Sequence, residues 1–88
     1  MKPIRTEMHD RRRPSLDRVL LVDDDKSVRE SLSEVLVCEG YLVEQAANGE
    51  QALHCLESQR IDIVLLDLNM PRLNGWDTFE KIVERWPL

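Results

Sequence analysis

Three aspartates carry the chemistry this sequence offers. Asp23 and Asp24 follow the apolar run Val19-Leu20-Leu21-Val22, and Asp67 follows Ile63-Val64-Leu65-Leu66. Carboxylates gathered at one place repel and raise one another's pKa, and a divalent cation removes that cost. Hard oxygen donors suit Mg2+, which keeps several waters and bridges to phosphate. A carboxylate is also a nucleophile toward phosphorus and forms an aspartyl-phosphate, with a metal beside it neutralising charge on the transferring group. The acids therefore describe a Mg2+ site with one carboxylate available for phosphorylation, provided the fold brings them together. Each alone reads more blandly. An Asp-Asp pair after a strand is often a helix cap or a solvated turn, and a lone Asp before a Pro-containing loop is usually structural.

The elements that must position these acids follow from the hydrophobic pattern. Residues 18–23 and 61–67 are continuous apolar runs ending in acid, the signature of strands buried on both faces of a parallel sheet. Residues 41–47 form a weaker strand. Between them the period turns helical. Val28, Leu32, Val35 and Leu36 make an apolar stripe over residues 26–39, started by Asp24 and Asp25 near the orphan N–H groups and stopped at Gly40. Residues 50–59 are helical with Ala52, Leu53 and Leu56 inward, and His54 beside that stripe reads as an exposed histidine. Residues 76–86 are helical with Trp76, Phe79, Ile82 and Val83 as apolar positions. The pattern is βαβαβα, which implies a parallel sheet with right-handed crossovers. In such sheets functional groups gather at the C-terminal strand ends, and Asp23, Asp24 and Asp67 all lie there. That coincidence outweighs the bland reading of each acid.

Composition bounds the rest. Eighty-eight residues allow one small domain, one that buries only roughly 60–65% of its unfolded surface. The net charge of −5 does not suggest nucleic acid, although Arg11, Arg12 and Arg13 cluster in residues 1–16, which read as a flexible basic leader before the domain at 17–88. Cys38 and Cys55 share no metal spacing and fall in apolar helical stretches, so they read as buried free thiols of a reducing cytosol. No apolar stretch approaches the ~20 residues needed to span a bilayer, and no apolar run follows the basic start as in a signal peptide. The expected location is the cytoplasm.

Three segments carry a family resemblance: Val19-Leu20-Leu21-Val22-Asp23-Asp24-Asp25, Ala47-Asn48-Gly49-Glu50-Gln51-Ala52-Leu53, and Asp62-Ile63-Val64-Leu65-Leu66-Asp67-Leu68-Asn69-Met70-Pro71 followed by Asn74-Gly75. The chain resembles the receiver domain of bacterial two-component response regulators, and the strand ending in Asp-x-x-Met-Pro is the most specific mark. The resemblance covers about residues 18–86. It implies a signalling module, not an enzyme, in which Asp67 accepts phosphate from the phosphohistidine of a sensor histidine kinase. By the same resemblance Asp24 binds Mg2+ directly, Asp23 helps through water or hydrogen bonds, and the backbone carbonyl of Asn69 is a further metal ligand. Met70, Pro71 and Gly75 shape the loop, and Asp25 has no ligand role.

The resemblance also implies a departure. Receivers of this kind have a doubly wound, flavodoxin-like sheet of five strand–helix units in the order 2-1-3-4-5, and this sequence matches the first three. The Ser or Thr expected after a fourth strand and the Lys after a fifth are not in it, and Lys81, in the third helix, cannot stand in. Phosphorylation is then expected to be impaired. The strand at 61–67 is expected to be an open apolar edge that invites a homo-oligomer. The competing function is a non-catalytic dimerisation module or an inert receiver fragment. An aspartate-nucleophile phosphatase wants a second Asp two positions after the first; Asn69 stands there after Asp67, Asp25 does follow Asp23, and no other part of that pattern appears, so this reading is disfavoured.

Overall fold

A computed structural model describes residues 2–5, 17–68 and 75–87. Its elements are β1 (Lys2–Arg5), β2 (Arg18–Val22), α1 (Lys26–Cys38), β3 (Leu42–Ala46), α2 (Gly49–Ser58), β4 (Ile63–Leu66) and α3 (Gly75–Arg85). The sheet runs β1-β4-β2-β3. β2 is central and pairs in parallel with β3 and β4. The alternation of strands and helices predicts the parallel pairing, and the family resemblance predicts the partial flavodoxin-like order, with the 18–22 strand between its two successors.

Alternation along the strands divides the interior. Leu20, Val22, Ala46, Val64 and Leu66 pack on one face with Ala52 and Leu56 of α2, Ile61, and Ile82 of α3. Val19 and Leu21, also buried, point to the opposite face, where α1 lies against β3 and β2. On β4 that face carries Ile63 and Leu65, which remain half-buried.

The helix boundaries are written in local chemistry. Asp25 caps α1 by accepting from the Ser27 and Val28 amides at 2.9 and 3.2 Å. Gly40, at φ +97°, ends the helix, while the Tyr41 amide reaches back to the Leu36 carbonyl at 3.1 Å. Such a left-handed turn favours glycine. Asn48 caps α2 by accepting from the Gln51 amide at 2.8 Å, and the Gln51 side chain accepts from the Ala47 amide at 2.8 Å, a variant of the reciprocal capping box.

Four expectations are corrected. The first is the leader: residues 2–5 are not structureless but form β1, antiparallel to β4 with Ile4 opposite Val64, while residues 6–16 lie outside the described residues. The second follows from it, since β4 is not an open edge. Its outer ladder of amides and carbonyls gains partners by pairing with β1. The third concerns α1, whose inward side is Arg29, Leu32, Ser33 and Leu36, leaving Val35 58% exposed and Val28 also at the surface. In α3, likewise, Thr78 and Ile82 are buried whereas Trp76 is 56% exposed. The fourth is Cys38, which is exposed; Cys55 is half-buried, and burial first, then Glu44, pushes its thiol pKa up.

Candidate functional site

The acids end two strands that pair directly. Val22 of β2 sits opposite Leu66 of β4, so Asp23 and Asp67 leave the sheet side by side. The ladder continues into the site: the Asp67 amide donates to the Val22 carbonyl at 3.0 Å, and the Asp23 amide donates to Ala46 at 3.1 Å. Backbone pairing thus fixes both residues at their Cα atoms before any side-chain contact is considered.

One carboxylate oxygen from each of Asp23, Asp24 and Asp67 lies within 4.8 Å of the others. Asp23 is buried at 5% exposure, Asp67 is half-buried and Asp24 is exposed. The cluster is therefore anchored in the fold on one side and open to solvent on the other. Burial, above all, raises the Asp23 pKa. The Asp25 amide, donating to Asp23 Oδ1 at 2.9 Å, opposes that rise, and the charges of Asp67, Asp24 and Asp25 reinforce it. An all-oxygen donor set held this close, with one acid penalised for being charged, fits a hard divalent cation. Chemically, such a site can hold a metal and present one carboxylate to an incoming electrophile.

Two further features shape it. Gly75, the first residue of α3, lies so near the Asp67 backbone that a Cβ there would sit 2.5 Å from the Asp67 carbonyl oxygen and from Leu68 Cα. Glycine at this position is a requirement of close approach. Arg29 reaches from the first turns of α1 to donate to the Asp23 carbonyl at 2.7 Å.

The structure thus brings together Asp23, Asp24 and Asp67 as the strand-end argument expects, and gives Asp25 a capping role. The expected contributions of Asn69, Met70 and Pro71 lie outside the described residues. His54 is exposed. Sequence reasoning missed Arg29, which it did not single out within residues 26–39. Its spacing, one turn beyond the Asp25 cap and one turn before Leu32 and Ser33, is compatible with the inward side but does not name its partner, a backbone carbonyl.

Comparison with known proteins bears on the family and the fold. The profile of the Response regulator receiver domain matches residues 19–88. Response regulator MprA of Mycolicibacterium vanbaalenii is 48% identical over 65 residues, covering 74% of this chain and 28% of that protein. The crystal structure of response regulator protein TrrA from Thermotoga maritima in complex with Mg2+-BeF superposes with a TM-score of 0.74 at 40% identity, covering 78% of this chain and 60% of that one. TrrA in complex with histidine kinase ThkA is similar, with a TM-score of 0.73 at 40% identity, over 78% of this chain and 60% of that one. The chain thus spans less than two thirds of each of these relatives, 28% of MprA and 60% of TrrA. Among the described residues no helix is long and apolar enough to cross a membrane.

Proposed function

The chain belongs to the response regulator receiver domain family, and from that premise we propose that it is a phosphoacceptor of a two-component phosphorelay, taking a phosphoryl group onto Asp67 with Mg2+ bound by Asp23, Asp24 and Asp67. The observation that carries this reading is the convergence of the three carboxylates within 4.8 Å. The donor is a phosphohistidine of a sensor histidine kinase, a partner suggested by the complex of TrrA with ThkA. Use of Mg2+ is suggested by the oxygen donor set and by the Mg2+-BeF complex of TrrA. The backbone carbonyl of Asn69 completes the proposed ligand set. The chain acts as a receiver and not as an enzyme in its own right, on the cytoplasmic side with the kinase.

In the transfer, an Asp67 carboxylate oxygen attacks phosphorus and forms the P–O bond. The P–N bond to imidazole breaks, and its electron pair leaves with the histidine nitrogen. Mg2+, when bound, neutralises charge on the phosphoryl oxygens. The chain's own contribution is position. The Asp67 amide is pinned to Val22, Gly75 admits α3 close behind the acceptor, and Asp23 stays rigid through its bond from the Asp25 amide.

The test is phosphotransfer from an autophosphorylated histidine kinase domain in Mg2+. Label is expected to move to the wild-type chain, and to be absent from Asp67→Asn and when EDTA is present. Label that persists in Asp67→Asn would reject the acceptor assignment.

A further inference from the structure

The loop between β2 and α1 holds two of the three clustered acids, and something must keep it still. Its backbone leaves the sheet at Asp23, whose amide still pairs with the Ala46 carbonyl while its own carbonyl accepts from a side chain. A half-buried carbonyl in that position requires a donor. Arg29 supplies one at 2.7 Å. The same residue's backbone amide donates to the Asp25 carbonyl at 3.0 Å. Arg29 therefore grips both ends of the Asp23–Asp25 segment, the first with its side chain and the last with its main chain. It is half-buried on the inward side of α1, where rotamer freedom is already restricted.

Holding the Asp23 carbonyl has a geometric consequence. The peptide unit is planar, so fixing the Asp23 C=O fixes the opposed Asp24 N–H and the position of Asp24 Cα; the Asp25 amide, held by Asp23 Oδ1 at 2.9 Å on the far side of Asp24, restricts the remaining rotation and with it the direction in which the Asp24 side chain leaves. Asp24 is the exposed member of the cluster and has no burial of its own to orient it. Among the described residues the guanidinium addresses the carbonyl and not a carboxylate, so it restrains the loop without competing for the oxygens a cation would use.

We propose that Arg29 is a positioning residue for the metal, clamping the Asp23–Asp24 peptide so that the Asp24 carboxylate is presented to a divalent cation shared with Asp23 and Asp67. The inference rests on the reading of the three acids as a Mg2+ site. Groups that orient ligands from behind change metal affinity by about 10–100-fold when removed, and Arg29 belongs in that range.

The experiment is a Mg2+ titration of the whole chain by isothermal calorimetry, alongside urea unfolding. Arg29→Met retains the apolar stem and removes the donors; Arg29→Lys returns a donor. Arg29→Met is expected to weaken Mg2+ binding about tenfold or more, while Arg29→Lys recovers most of the affinity. Retained wild-type affinity in a folded Arg29→Met overturns the inference and leaves the metal reading intact. A wild-type chain that takes up no Mg2+ overturns both. Folding of the variant is not the sole support, because the guanidinium resonances of wild-type Arg29 are expected to shift with the calorimetric Kd as Mg2+ is added. Resonances that stay fixed through saturation contradict the clamp.

Discussion

At Asp23, burial and three neighbouring acids act against ionisation, and the Asp25 amide acts for it. A carboxyl whose folded pKa is raised binds its proton more tightly in the native state. Its stabilising contribution is present below the ordinary carboxylate range and is lost as pH rises through the raised value. Above that raised value the charge on Asp23 therefore weakens the metal-free fold. Asp23→Asn keeps an acceptor for the Asp25 amide and removes the charge. It is expected to stabilise the metal-free chain by on the order of 1 kcal/mol, roughly 4–8 °C in melting temperature. Mg2+ at a hundredfold excess over its Kd should reverse the ranking, since the wild type alone then gains about 2.7 kcal/mol. Thermal melts with and without Mg2+ check both signs. Gly75 makes the opposite kind of prediction. Alanine is the better helix former, yet its Cβ would meet backbone atoms of Asp67 and Leu68. Gly75→Ala should therefore destabilise by about 1–3 kcal/mol in urea unfolding. Asp23, Asp24 and Asp67 were legible in the sequence because strand ends and acid runs coincide. Arg29 was not, because its partner is a backbone carbonyl, which no side-chain pattern reports.

The same distinction holds for the elements. β2, β3, β4 and the three helices were legible because each carries its own apolar period and its own stop: Asp25 and Gly40 for α1, Asn48 for α2. β1 was not. Lys2-Pro3-Ile4-Arg5 has no strand period, and its conformation comes from the partner it pairs with, the outer ladder of β4. Nor was the rotation of α1 readable, since four apolar residues and a buried serine define two overlapping stripes, and only packing against β2 and β3 chooses between them. Because β1 covers β4, the expected association through that edge now requires β1 to leave. Deleting residues 1–5 is expected to expose the ladder and the half-buried Ile63 and Leu65 beside it, and so to produce concentration-dependent association in sedimentation velocity. A deletion variant as monomeric as the parent chain would show that β1 is dispensable for protecting the edge.

As a whole molecule the chain is a small sheet with its charge unevenly placed. The net −5 includes a concentrated acidic group at one end of the sheet, while the opposite end is tied by Arg18, which donates to Glu44 at 3.0 Å and to Gln59 at 3.1 Å and whose amide meets Asp62 at 2.7 Å. One end is thus closed by satisfied polar contacts, and the other carries the three acids at which the proposed cation and phosphoryl donor would bind. With so small a core the scaffold has little to spare. Ile82→Ala, at a fully buried position that fastens α3 to the sheet, should cost about 2–5 kcal/mol, a large share of what a domain of this size possesses. The most direct measurement of the central claim is intact-mass analysis after incubation with a small phosphodonor. One phosphoryl group is expected on the wild-type chain in Mg2+, mapped to Asp67, and none in EDTA or in Asp67→Asn. No adduct on a folded, Mg2+-saturated chain, or an adduct that survives Asp67→Asn, would contradict the assignment of Asp67 as the phosphoacceptor.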